Sequence, residues 1–168
     1  MPSEADFGIP CVETDTPDQT MTEELIVGIN LGGGPHKLPG FDTLDPMYGE
    51  GDWKRYAEDI PWPVDDGTVE EIYASHVLEH IFAGPPRIAV FNEAHRVLQS
   101  GGLFHIRTPL FPHPCSVSDP MHVSFFVPDS FMYFCNNSGW PSGGDWCVWR
   151  MESIETSDWE ITCKLRKP

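Results

Sequence analysis

With 168 residues, 40% of them apolar, the chain is long enough for one domain with its own hydrophobic core. No apolar run reaches the ~20 residues of a membrane-spanning helix. The formal net charge of −16 disfavours nucleic acid as a partner, because an acidic surface repels a phosphate backbone. Composition and charge therefore favour a globular protein that binds neither nucleic acid nor membrane.

Two features indicate a cytoplasmic protein. The first residues contain no basic stretch followed by an apolar one, which a secretory signal would require. The five cysteines include no pair separated by two residues and no even framework, so we expect reduced, mostly packed thiols.

The first 22 residues differ in composition from the rest of the chain. They contain several acidic side chains, three prolines and no lysine or arginine. Such a segment cannot bury enough apolar surface to offset the entropy lost on ordering. We predict a flexible acidic tail at 1–22 and a single domain at 23–168.

The most informative stretch is a short apolar run that ends at three glycines. Residues 25–31 predict a buried strand, and Gly32 to Gly34 predict a tight turn that lets a ligand approach the backbone. A second strand at 41–44 ends at Asp45. In α/β folds, a glycine turn after one parallel strand and an acid after the next hold a ribose. An ordinary glycine-rich turn, with Asp45 as a turn former, is the alternative.

The residues after the glycines argue against a dinucleotide. Pro35 and Pro39 leave no room for the regular helix whose N-terminus would face a pyrophosphate. A ribose-bearing cofactor without phosphates, such as S-adenosylmethionine, fits this spacing better. An NAD-linked reductase is disfavoured for the same reason.

The remaining elements follow in chain order and predict an α/β fold. Proline opens a helix at 85–98, and Gly101 and Gly102 are expected to end it. We expect an extended segment at 59–63, strands at 69–74 and 103–108, a long loop at 109–127, a short helix at 129–135, and an antiparallel pair of strands at 145–154 and 159–165.

Six segments, in this order and spacing, resemble class I S-adenosylmethionine-dependent methyltransferases. They are INLGGG at 29–34, GFDTLD at 40–45, AEDIPW at 57–62, EIYASHVLEHI at 71–81, EAHRVLQSGG at 93–102 and DPMH at 119–122. The closest likeness is to the compact methyltransferase type 11-like branch. The resemblance implies a Rossmann-like sheet, mostly parallel with an antiparallel last strand, and a shortened first helix.

The same resemblance implies where S-adenosylmethionine would bind. Its methionine part would lie against Gly32 and Gly34, and its ribose hydroxyls would donate to Asp45. The other implied contacts are the adenine amino group with Asp59, the adenine ring with Ile60, and the methionine moiety and methyl group with Ser75 and His76.

The long loop supplies the candidate catalytic groups. His122 is the candidate general base, because an unperturbed histidine pKa near ~6.5 suits proton removal at neutral pH. Asp119, three residues earlier, is positioned to orient it, and His76 borders the methyl group. Alternatively, Asp119 and His122 only pin the loop by hydrogen bonds.

Four loop residues also have the spacing of metal ligands: His113, Cys115, Asp119 and His122. A metal-free loop is the favoured interpretation, and no metal site is predicted.

The predicted activity is methyl transfer from S-adenosylmethionine to a small-molecule or glycan acceptor. A binding or structural protein that keeps the fold without turnover is the alternative, because the chain is short and shows little chemistry for the acceptor.

Overall fold

The computed structural model describes residues 28–35, 37–47, 52–136 and 146–168, and in these ranges six strands form one sheet. In chain order the strands are β1 (Gly28–Leu31), β2 (Phe41–Leu44), β3 (Val69–Ser75), β4 (Leu98–Pro109), β5 (Arg150–Thr156) and β6 (Glu160–Arg166). Their order across the sheet is β2-β1-β3-β4-β6-β5. Residues 25–27 of the predicted strand at 25–31, and the predicted acidic tail at 1–22, lie outside the described residues.

The sheet is parallel except at β6. Strand β1 pairs in parallel with β2 on one side and β3 on the other, and β3 pairs in parallel with β4. Strand β6 lies antiparallel between β4 and β5. The predicted fold class, a mostly parallel Rossmann-like sheet with an antiparallel last strand, is confirmed.

In the described ranges, three α-helices accompany the sheet: α1 (Pro85–Val97), α2 (Pro114–Val117) and α3 (Asp129–Met132). Helix α1 begins with two prolines, whose missing N–H groups cost nothing in a first turn. The ring centroid of its Phe91 lies 5.6 Å from that of Phe104 in β4 and 4.1 Å from that of Phe134, on which it stacks. These contacts join α1 to the sheet and belong to the hydrophobic core.

The junction between α1 and β4 differs from the prediction. The helix ends at Val97, and Leu98 is already extended and paired with Val69, so β4 begins five residues earlier than expected. Gly101, predicted to end the helix, instead lies within β4 with a φ of +82°. Because Leu98 is fully buried, its side chain is held on the sheet and the helix cannot extend further.

The connections near the candidate site contain little regular secondary structure. Between β1 and β2, none of the described residues is helical, which agrees with the predicted shortened first helix. The long loop after β4 contains α2, which the sequence did not predict, and α3 is shorter than the predicted helix at 129–135. Among the described residues, no helix is long and apolar enough to cross a membrane.

A buried carboxylate fixes the extended segment after residue 60 onto α1. Glu93 accepts a hydrogen bond of 2.7 Å from the backbone N–H of Trp62 and an ion-paired bond of 2.6 Å from Arg96. Arg96 also donates to the carbonyl of Val64 at 2.9 Å. The hydrogen bonds to Glu93 raise the pKa of Arg96, so the guanidinium stays charged. The network thereby positions the chain that enters the candidate site.

We predict that Glu93→Ala lowers the free energy of unfolding by about 2–4 kcal/mol, because it leaves a buried N–H and a partly buried guanidinium without an acceptor. Urea unfolding monitored by circular dichroism measures this difference. Glu70→Ala, at an exposed position of β3, is the matched control and should change stability by less than ~0.5 kcal/mol. Equal losses in both variants would contradict a structural role for the network.

Candidate active site

A cavity of about 430 Å³ opens where β1, β2 and β3 end. Its walls come from the turn after each of these strands, from residues 56–58, and from the loop after β4, through Asp119 and Met121. A second cavity of about 270 Å³, between α1 and α3, contains none of these strand ends.

The strand order explains why the first cavity lies there. The chain leaves β1 towards β2 on one side and later returns to β3 on the other, so the connections diverge above β1. Ligands of open α/β sheets bind in the crevice that such a divergence creates at the carboxyl ends of the strands. The volume also falls within the ~300–1,000 Å³ typical of ligand pockets.

The turn after β1 is built around a glycine. Gly32 has a φ of +62°, and a Cβ atom there would lie 2.3 Å from Cγ2 of Val77. Its N–H donates to the carbonyl of Leu44 at 2.7 Å, which joins the ends of β1 and β2. Only glycine combines this conformation with so close an approach, and the turn leaves its backbone facing the cavity.

Asp45, directly after β2, is a buried carboxylate held by the backbone. Its Oδ2 accepts from the N–H of Gly34 at 2.8 Å, and its Oδ1 accepts from the N–H of Met47 at 2.8 Å. Only 5% of the residue is exposed, yet it lines the cavity. The two backbone bonds therefore fix a negative charge in the cavity wall before any ligand arrives.

His76, directly after β3, lies between two buried carboxylates. Its Nδ1 is 3.2 Å from Oε1 of Glu79, and its Nε2 is 2.9 Å from Oε1 of Glu160. The hydrogen bond to Glu79 and the charges of both carboxylates raise the pKa of His76 against the effect of its partial burial. The residue has a φ of +57°, a strained value for a side chain other than glycine.

Further groups hold this histidine cluster in place. Arg107 of β4 donates to both carboxylate oxygens of Glu160, with contacts of 2.7–3.0 Å. The Thr108 hydroxyl donates to Oε2 of Glu79 at 3.3 Å. The ring of His76 stacks on Trp159 with centroids 5.8 Å apart. The imidazole is thus oriented on several sides.

A 3₁₀ turn at Leu78–His80 contains Glu79 and contacts the loop after β4. The carbonyl of Glu79 accepts from the N–H groups of Val123 and Ser124 at 2.9 and 3.0 Å. The hydroxyl of Ser124 donates to the carbonyl of Ile81. These bonds hold the loop over the ends of β3 and β4.

Three side chains meet where the 3₁₀ turn and the loop touch. Donor atoms of Glu79, His80 and His122 all lie within 4.8 Å of one another, and the two imidazole rings meet edge to face at 4.9 Å. Glu79 is buried, His122 is half-buried and His80 is exposed and lines the cavity. The group offers two nitrogens and a carboxylate oxygen at the cavity edge.

Residues 52–106 match the model of a family described as a methyltransferase domain. Among solved structures, a S-adenosylmethionine-dependent methyltransferase from Archaeoglobus fulgidus has a TM-score of 0.56 at 13% identity, with 86% of this chain and 87% of that chain covered. The chain has the class I methyltransferase fold. No protein of curated function matches it in sequence.

Two other similar structures contain bound molecules or partners of their own. The 1,6-didemethyltoxoflavin-N1-methyltransferase from Burkholderia thailandensis was solved with 1,6-didemethyltoxoflavin and S-adenosylhomocysteine; it has a TM-score of 0.56 at 11% identity, over 84% of this chain and 70% of that chain. A complex containing the Haloferax volcanii Trm112 methyltransferase activator has a TM-score of 0.55 at 13% identity, over 87% of this chain and 84% of that chain. The predicted resemblance to class I methyltransferases is confirmed, and both fold and family match support S-adenosylmethionine as the cofactor.

The methyltransferase fold brings together most of the residues that the sequence singled out. Gly32, Asp45, His76 and Asp119 line the cavity, and Gly34 donates to Asp45. His122 is not among the described lining residues, but its ring lies against that of His80, which lines the cavity.

Besides Gly34, three predicted cofactor contacts lie outside the described cavity walls. Asp59 is exposed and its carboxylate accepts from the N–H of Tyr56 at 2.9 Å. Ile60 is 38% exposed, and Ser75 is exposed at the end of β3. Their roles stay predictions, since Tyr56, Ala57 and Glu58 form this part of the wall.

Sequence reasoning missed Glu79, Glu160 and His80. Glu79 and His80 lie in the segment at 71–81, which was interpreted through the resemblance. An acid directly followed by a histidine was the signal that could have identified them as site residues. Glu160 follows His76 by 84 residues. Only the pairing of β6 with β4, which places Glu160 opposite Pro109, brings it to the site.

For the glycine turn of this methyltransferase fold, we predict that Gly32→Ala lowers the free energy of unfolding by about 2–4 kcal/mol, through backbone strain and the clash with Val77. In a Val77→Ala background the same change should cost at least ~1 kcal/mol less, because the clashing methyl is gone. A double-mutant cycle by urea unfolding measures the coupling. Additive costs would show that the two residues do not crowd each other.

Proposed function

We propose that the protein transfers a methyl group from S-adenosylmethionine to a small-molecule or glycan acceptor. The observation that supports this best is Asp45, a buried and backbone-oriented carboxylate after β2, next to the glycine turn after β1. This is the arrangement in which α/β folds hold a ribose.

The residues present fit this cofactor. The ribose hydroxyls would donate to Asp45, and the methionine part would lie against Gly32, where no Cβ intervenes. S-adenosylmethionine carries positive charge on its sulfonium and ammonium groups, and the cavity walls include the carboxylates of Asp45, Glu58 and Asp119. An acidic cavity attracts such a ligand.

The cofactor supplies an activated methyl group, so the protein must chiefly align the acceptor with it. Holding two reactants in a productive geometry can supply about 7–11 kcal/mol of the barrier. His76 suits a positioning role, because its raised pKa favours the protonated ring and its nitrogens face Glu79 and Glu160. We propose that it forms the wall beside the methyl group.

At the acceptor end, we propose that His122 acts through its Nε2 atom. Its Nδ1 lies 3.1 Å from the carbonyl of Ser116, which can only accept, so Nδ1 carries a proton and, in the neutral ring, Nε2 carries the lone pair. Asp119 Oδ2 is 3.9 Å from this Nε2. The lone pair thus faces the side on which Asp119 lines the cavity.

Release of S-adenosylhomocysteine tests turnover directly. The protein is incubated with S-adenosylmethionine and pools of hydroxyl, amine and glycan acceptors, and the product is measured by mass spectrometry. Release in one pool supports the proposed function. Tight cofactor binding with no release in any pool would favour the alternative, a binding protein that retains the fold. The cytoplasmic location stays a prediction.

We predict that Asp45→Ala weakens binding of S-adenosylmethionine at least ~30-fold, because two charge-assisted bonds to the ribose are worth more than ~2 kcal/mol together. Isothermal titration calorimetry measures the affinity.

The matched control is Asp52→Ala. Asp52 also accepts a backbone bond, from Thr43 at 2.9 Å, and an ion-paired bond from Lys37 at 3.0 Å, but it is not among the described lining residues. This variant should bind the cofactor with nearly unchanged affinity. Unchanged affinity in Asp45→Ala would refute the ribose assignment.

A further inference from the structure

We propose that Glu79, His80 and His122 bind a divalent transition-metal ion at the edge of the cavity. The sequence predicted no metal site, and the four loop residues considered as ligands included only one of these three. The proposal rests on donor atoms that the fold brings within 4.8 Å of one another.

Both histidines have an Nδ1 atom beside a backbone carbonyl. Nδ1 of His80 lies 3.2 Å from the carbonyl of Met121, and Nδ1 of His122 lies 3.1 Å from the carbonyl of Ser116. Because a carbonyl only accepts, each Nδ1 carries a proton, and in the neutral ring each Nε2 carries the lone pair. Metal-bound histidines almost always donate their other ring N–H in this way.

Neither Nε2 atom has a hydrogen bond to a described residue, and that of His122 lies 3.9 Å from Oδ2 of Asp119. The loop is pinned through other atoms: the two Nδ1 atoms, the carbonyl of Glu79 and the hydroxyl of Ser124. Loop anchoring therefore accounts for the Nδ1 side of each ring. It does not account for the approach of two imidazoles and a carboxylate to within 4.8 Å of one another.

Glu79 supplies the negative charge. Its carboxylate is almost fully buried and is oriented by His76 and Thr108. A carboxylate has about four acceptor positions, so it can bind an ion in addition to these two bonds. A buried carboxylate next to two imidazoles favours a cation.

The donor set selects the kind of ion. Two imidazoles and one carboxylate suit Zn²⁺ and its first-row neighbours better than Mg²⁺ or Ca²⁺, which prefer oxygen ligands throughout. Ligands around a tetrahedral ion at ~2.1 Å lie ~3.4 Å apart, so the three donors, now within 4.8 Å, must approach by up to ~1.4 Å. His80 is exposed and its ring is able to rotate inward.

The ion would leave a coordination position facing the cavity, because His80 lines the cavity wall. This second step rests on the proposed function. A hydroxyl acceptor bound there would lose its proton to water. Its oxygen would then bond to the methyl carbon as the carbon–sulfur bond of the sulfonium breaks, which gives the methyl ether, S-adenosylhomocysteine and one proton. His122 would thus act on the acceptor through the ion.

Metal binding is tested on the full chain after dialysis against a chelator. Titration with Zn²⁺ should show one tight site, and Co²⁺ should give the visible absorption of a site with nitrogen and oxygen ligands. We expect His80→Ala and Glu79→Gln each to weaken Zn²⁺ binding at least ~100-fold, more than the loss of an outer-shell partner costs. His80 is exposed, so His80→Ala should fold normally, which its melting temperature checks.

Two control variants separate this site from a neighbouring one. His113 Nδ1 lies 2.9 Å from Cys115 Sγ, a pair that could itself bind Zn²⁺. His113→Ala and Cys115→Ala should leave Zn²⁺ affinity unchanged. Loss of binding in Cys115→Ala, or unchanged binding in a folded His80→Ala, would overturn the proposal. Zn²⁺ is titrated without S-adenosylmethionine, so this result is independent of whether the cofactor binds.

Discussion

The parallel pairing of β1 with both β2 and β3 is the constraint on which the site depends. Because the three strands run in the same direction, their carboxyl ends lie at one edge of the sheet. The bond from Gly32 N–H to the carbonyl of Leu44 joins two of these ends at 2.7 Å. Asp45 and His76 each follow directly on such an end, so their positions are set by the sheet and not by flexible loops.

Glu79 connects this sheet edge to the loop after β4. Its side chain contacts His76 and Thr108, and its carbonyl holds the loop. One residue in a short 3₁₀ turn therefore joins the cofactor side of the cavity to the side that carries Asp119 and His122. Burial makes these bonds effective, because water cannot compete for them.

Local sequence signals predicted the elements that local forces determine. Strand β2, the start of α1 at two prolines and the final antiparallel pair were found because turn residues and periodicity mark them. The early start of β4 was missed because it depends on pairing of Leu98 with Val69, a tertiary contact. Asp45 was predictable from its place after a strand, but its two backbone donors were not.

The cluster around His76 and the group of Glu79, His80 and His122 required the fold. Glu160 and His122 are the members furthest along the chain, and each lies 42 residues or more after the 3₁₀ turn. The resemblance indicated a methyltransferase through short segments. It gave no information on how the 3₁₀ turn, the loop and β6 meet in space.

Titration of the ¹⁵N-labelled protein with S-adenosylhomocysteine, followed by backbone amide NMR, tests the location of the site most directly. We predict the largest shifts at the amides of Gly32, Gly34, Met47 and Val77, which surround the ends of the three parallel strands. Shifts confined to Tyr133 and Trp146, beside the second cavity, would contradict this account. So would saturating ligand that leaves every amide signal unchanged.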